Sequence, residues 1–258
     1  MTIKKKIITT LWFISKPRYW IQYIQLVKRK IFGLKDNVSE KDKAILWAKK
    51  NATEYNNSWK KIGLDGKTIN FDSQILIEAN KLASNYKGLM GGPGYIDFIY
   101  NAVRLLKAKL VIETGVAYGW SSLAILAGFS ENNDEGKLYS VDMPYPNRNN
   151  EPYVGIVVPK RFKKNWKIID RPDITGIPIA LKLIKEKIDL CHYDSDKTRE
   201  GRSISYPILW ESLRSGGLFI SDDIGDNLFF AEFVNSLNAP YCVVKVQGNQ
   251  YMGAIRKP

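Results

Sequence analysis

Histidine is almost absent from this 258-residue chain: His192 is the only one. A zinc centre built from several imidazoles is therefore excluded. There are two cysteines, Cys191 and Cys242, each inside an apolar, strand-like run. Two thiols in a chain of this length do not make a disulfide framework, and both read as buried thiols of a reducing, cytoplasmic compartment. Long apolar runs are also missing. The longest near the start, Ile7–Ile14, is soon followed by Lys16, Pro17 and Arg18. It is too short to span a bilayer, and no small-residue cleavage site follows it as a secretory signal would require. Acidic residues are missing from the first 35 positions, where nine Lys and Arg precede Asp36.

That last absence makes the charge lopsided. The net charge is +13, with 16 Lys/Arg against 5 Asp/Glu in residues 1–70 and 23 against 21 in residues 71–258. The excess belongs to an N-terminal appendage, taken as residues 1–70, and the remainder, 71–258, reads as one α/β domain. Confinement of the charge to the appendage, with no RNA-binding motif, argues against a nucleic-acid partner. Residues 1–35 mix the cations with Trp12, Phe13, Tyr19, Trp20, Tyr23 and Phe32. Pro17 separates two short helices, and Trp20, Ile21, Ile24, Val27 and Ile31 recur at helical spacing. Two readings stand: contact with an anionic membrane surface at its inner face, or packing on the main domain with a solvated basic rim.

Residues 39–62 read as one or two helices, Gly63–Gly66 as a turn, Phe71–Tyr86 as a helix, residues 88–95 (GLMGGPGY) as a glycine-rich break and Asp97–Leu106 as a helix. Strand and helix then alternate. Strands are expected at Lys109–Thr114, Lys137–Asp142, Trp166–Ile169, Ile188–Tyr193 and Gly217–Ser221, with a helix at Ser121–Gly128. Near-continuous apolar strands between helices predict a parallel sheet covered on both faces. Tyr241–Val246 and Tyr251–Arg256 flank a turn containing Gly248-Asn249, which predicts an antiparallel hairpin at the end.

The segment LVIETGVAYGWSS (110–122) is a strand, a glycine turn and a helix start. Gly115 permits the tight turn, Gly119 permits close approach, and Ser121 or Ser122 serves the first helical turn. Ala117 and Tyr118 lie between the glycines. A helix N-terminus in this setting attracts an anionic group. Asp142 closes the next strand, followed by Met143, and an acid there can accept hydrogen bonds from two ribose hydroxyls. The glycines are spaced G-x-x-x-G rather than the G-x-G-x-x-G of dinucleotide folds.

In these features, over roughly Gly91–Arg256, the chain resembles the class I S-adenosylmethionine (SAM)-dependent methyltransferases. The resemblance implies a Rossmann-like, mostly parallel seven-stranded sheet with a terminal antiparallel hairpin. It also implies that Glu113, Gly115 and Gly119 hold the methionine part of SAM and that Asp142 holds the ribose. Asp170 and Asp173 fall where the family often contacts adenine.

Two later segments add acids: IDLCHYDSDKTREG (188–201) and SGGLFISDDIGDN (215–227). Carboxylates from separate strands repel unless neutralised, and a divalent cation, Mg2+ by its preference for oxygen, is one answer. The other is that they cap helices, with Lys197 pairing to Asp196. The pattern is similar to cation-dependent O-methyltransferases of the catechol and caffeoyl-CoA type. It implies Asp194, Asp222 and Asp223 as metal ligands and Lys197 as candidate base. It also resembles bacterial sugar and secondary-metabolite methyltransferases, whose H-D-S-D-H has Lys197 in place of the second His. The reaction implied is methyl transfer to a hydroxyl of a sugar, glycan precursor or natural product. An RNA methyltransferase and a non-catalytic SAM-fold module are the rivals. His192 reads as a hydrogen-bonded core residue, Asp226 and Asn227 as helix caps or substrate contacts, and Pro144–Lys164 as a lid or substrate wall. Self-association is left open.

Overall fold

The computed structural model describes residues 3–32, 38–84, 86, 90–133 and 135–258. Asp36, residues 33–35 of the basic segment, and Gly88 and Leu89 of the glycine-rich break lie outside the described residues.

The chain begins with helices: α1 (Ile3–Ile14), α2 (Trp20–Ile31), α3 (Val38–Asn51), α4 (Tyr55–Lys61), α5 (Ser73–Ala83) and α6 (Ile96–Leu106). A 3-10 turn at Pro17–Tyr19 separates α1 from α2, as the proline predicts. The alternating part follows as β1 (Leu110–Thr114), α7 (Trp120–Glu131), β2 (Lys137–Asp142), β3 (Trp166–Asp170), α8 (Asp173–Ile184), β4 (Ile188–Tyr193), α9 (Arg199–Ser212), β5 (Leu213–Ser221), α10 (Phe229–Leu237), β6 (Tyr241–Gln247) and β7 (Gln250–Arg256).

The seven strands form one sheet in the order β3-β2-β1-β4-β5-β7-β6. β1 to β5 run parallel, and β7 pairs antiparallel with both β5 and β6. The expected Rossmann-like sheet with an antiparallel end is therefore present. Helices cover both faces, which is why the central strands are apolar at successive positions. Val111, Leu138 and Leu190 pack under α6 and α7, with Phe98, Val103 and Leu123. Their neighbours Ile112 and Cys191 pack under α8 to α10, with Ile177, Leu209 and Phe230. The order turns between β1 and β4, and parallel α/β sheets bind ligands in the crevice at that point, beyond the carboxyl ends of the strands. Both cysteines are free and buried.

The division expected at residue 70 is not a break in packing. Trp59 of α4 stacks on Phe98 at 4.5 Å, Thr53 N–H donates to Val243 O at 2.7 Å, and Ala48 is buried in the same core as Ile112. Residues from α3 onward therefore belong to the sheet body, because their apolar side chains are buried by it. Among the described residues, only α1, α2 and the turn between them stand as an appendage. That appendage is tied down by polar links: Lys16 to Glu151, Tyr19 and Arg18 to Asp170, and Arg29 to Asp196 and Glu200. Among the described residues, no helix is long and apolar enough to cross a membrane.

Candidate active site

The loop after β1 takes its shape from backbone contacts. Gly115 has φ of 82°, and a Cβ there would sit 2.3 Å from the Asp194 carbonyl oxygen. Gly119, the N-cap of α7, has φ of 92°, and a Cβ there would sit 2.9 Å from Gly155 Cα. The glycines thus admit two neighbouring segments of this chain, the loop after β4 and the 144–164 insertion. That insertion closes on the loop: Gly155 N–H donates to Ala117 O at 2.9 Å and Val157 N–H to Tyr118 O at 3.1 Å.

A cavity of about 780 Å³ opens beyond the β1 and β4 ends, a size suited to a small-molecule ligand. Gly115, Ala117, Ser121, Asp142 and Met143 line it, as do Asp173, Asp194, Lys197, Asp222 and Asp223. Tyr145 and Asn150 bring the insertion to its wall, and Met90–Tyr95 bring the described part of the glycine-rich break. Asp142 accepts the Val116 N–H at 2.7 Å, so it also holds the loop. Burial pushes its carboxyl up to about 6.

Three expected cofactor residues lie off the wall. Glu113 is fully buried beneath the loop and accepts from Ser122 Oγ at 2.5 Å and Ser140 Oγ at 2.7 Å. Its role in this structure is to brace β1, β2 and α7, not to face the cavity. Tyr118 is buried edge-on against Tyr86, and Gly119 lies at the α7 cap. Asp170 is occupied by Tyr19 and Arg18, whereas Asp173 reaches the wall and accepts from Ser195 Oγ.

The acids converge as expected. One oxygen from each of Asp194, Asp222 and Asp223 lies within 4.8 Å of the others. Lys197 does not pair with Asp196. Its Nζ lies 3.0 Å from Asp194 Oδ1 and is bonded to Asp223, while Asp196 accepts from Arg29 Nη2 at 2.6 Å. Burial alone would lower the Lys197 pKa, but the two carboxylates outweigh it and raise it. Lys197 thus stands as the ion-pair partner of Asp194 and Asp223, an arrangement that favours its ammonium form over a role as base. Asp222 is pushed up to about 6 by burial and by Asp194 and Asp223.

Arg202 escapes sequence reasoning. It is fully buried, and its Nη2 donates to the Asp223 carbonyl at 2.7 Å, fixing the loop where Asp223 adopts φ of 47°. Asn227 is buried too; it lies one residue before the α10 N-cap, Leu228, accepts from Phe229 N–H at 3.2 Å and donates to Lys197 O at 2.9 Å. Asp226 is drawn off to Lys41. His192 is buried as expected, but neither ring nitrogen has a hydrogen-bond partner, and Nδ1 is 3.8 Å from Glu113 Oε1. The ring lies on the cavity wall, as do Trp120 and Asn150, whose Nε1 and Oδ1 are likewise buried without a partner. Buried polar groups seldom stay unpaired, so these atoms fit a polar ligand in the cavity.

Residues 112–224 match the sequence family described as a methyltransferase domain, a span that runs from β1 past Asp223. No curated protein matches the chain in sequence. A Podospora anserina methyltransferase bound to S-adenosylhomocysteine (SAH) superposes with a TM-score of 0.55 at 14% identity, covering 87% of this chain and 98% of that one. The SAM-bound O-methyltransferase TomG of Streptomyces achromogenes, involved in tomaymycin synthesis, gives 0.54 at 11% identity, covering 80% and 100%. The SAH-bound O-methyltransferase of Bacillus cereus gives 0.53 at 14% identity, covering 81% and 100%. Identities this low establish the fold alone. Residues 112–224 therefore resemble a methyltransferase domain, set in a fold shared with SAM- and SAH-bound methyltransferases.

Proposed function

We propose that this chain methylates a hydroxyl oxygen of a sugar, a glycan precursor or a natural product. The observation that carries the reading is the meeting of Asp194, Asp222, Asp223 and Lys197 in the same cavity as the Gly115–Gly119 loop and Asp142. SAM, when bound, supplies an electrophilic methyl on its sulfonium. The N-terminus of α7 and the loop offer N–H groups to the methionine carboxylate. Asp142 is placed to accept from ribose hydroxyls, and the insertion excludes water from above. The acceptor hydroxyl lies against the acid cluster, whose carboxylates take its proton as the oxygen–carbon bond forms.

The donor set fits a hard divalent cation such as Mg2+, with Asp194, Asp222 and Asp223 as the ligands. Such a cation would lower the pKa of the acceptor hydroxyl. A second reading is favoured by the position of Lys197, whose ammonium already neutralises Asp194 and Asp223. In that reading methyl transfer is cation-independent and Lys197 is the fixed countercharge.

A screen of hydroxyl acceptors with methyl-labelled SAM tests the activity, starting from sugar nucleotides and lipid-linked glycans. Asp194→Asn should keep SAM binding in calorimetry and lower kcat by about a hundredfold or more. An Asp194→Asn protein that turns over normally would sink the assignment. Thorough chelation separates the two cation readings: loss of activity restored by Mg2+ supports the first, and full activity supports the second.

A further inference from the structure

Helix α2 has two faces with opposite surroundings. Gln22, Leu26 and Arg29 project into the wall of the active-site cavity. Arg29 is also pinned to Asp196 and Glu200, on the segment that carries Lys197. On the other side, Trp20, Ile24, Val27 and Ile31 follow one another at spacings of four, three and four. They fall within about 60° of one another around the axis. All four are exposed, Trp20 by 50% and Ile31 by 72%. Lys28 and Lys30 are exposed too, and the helical repeat places them on the two flanks of this stripe. Helix α1 repeats the arrangement with exposed Ile7, Leu11 and Ile14.

We propose that the outward apolar stripes of α1 and α2 dock on an anionic lipid bilayer. Such a seat places the active-site cavity about one helix diameter, roughly 10 Å, from the lipid surface. Charge and shape select this occupant. A short helix with an apolar stripe, flanking lysines and a half-exposed tryptophan is built to lie in the interface plane. Neither helix is long enough to cross. Cations among the apolar residues match lipid phosphates. A second copy seated by a two-fold axis would meet the same face. It would oppose lysine to lysine, and residues 1–35 contain no acid to relieve the repulsion. The implication for the acceptor, which rests on the O-methylation reading, is a molecule whose apolar anchor stays in the bilayer while its hydroxyl reaches past α2. Docking itself does not depend on that reading.

Flotation of the full chain on sucrose gradients tests docking without any activity measurement. The probes are vesicles of phosphatidylcholine alone and of phosphatidylcholine mixed with phosphatidylglycerol. The chain should float with the mixed vesicles, not with phosphatidylcholine alone, and high salt should release it. Ile24→Glu combined with Ile31→Glu should abolish flotation while circular dichroism and the thermal midpoint stay unchanged, since both side chains are solvent-exposed. Lys28→Gln and Lys30→Gln should each weaken partitioning about fivefold. Failure to float with either vesicle overturns the proposal, as does flotation of the double glutamate variant equal to that of the native chain. Light scattering that shows a dimer in the native chain and a monomer in the glutamate variant would assign the face to a second copy instead. Vesicle binding by a chain that methylates no hydroxyl would leave docking intact and remove only the acceptor.

Discussion

Helices α7 and α2 are each twelve residues long, and both are rich in large apolar side chains. In α7, Leu123, Ala124, Ile125, Leu126 and Phe129 are buried on every side. In α2 the one buried residue is Gln25, while Trp20, Ile24, Val27 and Ile31 face outward. The first helix is held by the hydrophobic effect, with its N-terminus aimed at the cofactor loop. The second is held by polar links: the ion pairs of Arg29 on α2 and of Lys16 and Arg18 just before it, and the Tyr19 hydroxyl bond to Asp170. One cavity therefore has a wall that cannot move without unfolding the domain and a wall attached by a few polar links. Ionic links weaken with salt and can yield singly, so the two walls should differ in stability and in response to solution conditions.

The sharpest break in that comparison is a matched pair of substitutions, and its first member carries the largest effect. Ile125→Ala in α7 should destabilise the whole domain by about 2–5 kcal/mol, read from denaturant unfolding. A loss much below that range would mean α7 is not integral to the core.

Next comes pH, through the crevice between the walls. The Asp173 carboxyl is raised by burial from 3.8 to about 6. An acid with a raised folded pKa holds its proton more tightly when folded. Its contribution is full below about 3.8 and is lost as pH rises through about 6. The ligand-free chain should therefore lose up to about 3 kcal/mol from this group between those limits. Asp173→Asn should flatten that slope in thermal midpoints measured across the range. Parallel slopes for the two proteins would remove Asp173 as the source.

Arg29→Ala follows. It removes the ion pairs to Asp196 and Glu200 and should loosen the appendage by about 1–3 kcal/mol. Limited proteolysis should then cut within residues 1–32 sooner, while the unfolding midpoint of the sheet body hardly moves. A large drop in that midpoint would show that both walls fold as one unit.

The smallest effect is the second member of the pair. Ile24→Ala should change stability in lipid-free buffer by no more than about 0.5 kcal/mol, because the side chain is already in water. A cost like that of Ile125→Ala would mean that the α2 stripe is covered in solution.

Much of the fold was legible. β2 and β4 have the bounds read from KLYSVD and IDLCHY, because an apolar run ending in acid or tyrosine before a break is a local pattern. The terminal hairpin was marked by its Gly-Asn turn. β5 was read too short at Gly217 because its start, Leu213–Gly216, pairs through a register shift that no local pattern announces. The acids of the site were legible because they follow strand ends. The pairing of Lys197 was not, since Asp223, one of its two carboxylate partners, lies 26 residues away on another strand end. Glu113 was placed on the right strand, but Ser122 and Ser140 decide that it faces inward.

By itself, the sequence determined the strand–loop–helix order, the glycine turn and the acids at strand ends, because periodicity and turn chemistry act between near neighbours in the chain. Tertiary structure alone decided three things: that Lys197 pairs with Asp194 and Asp223, that Glu113 is buried beneath the loop, and that α2 walls the cavity. Each depends on pairing between distant residues, as in the 167 residues that separate Arg29 from Asp196. Burial strengthens such pairings, and no local pattern encodes them.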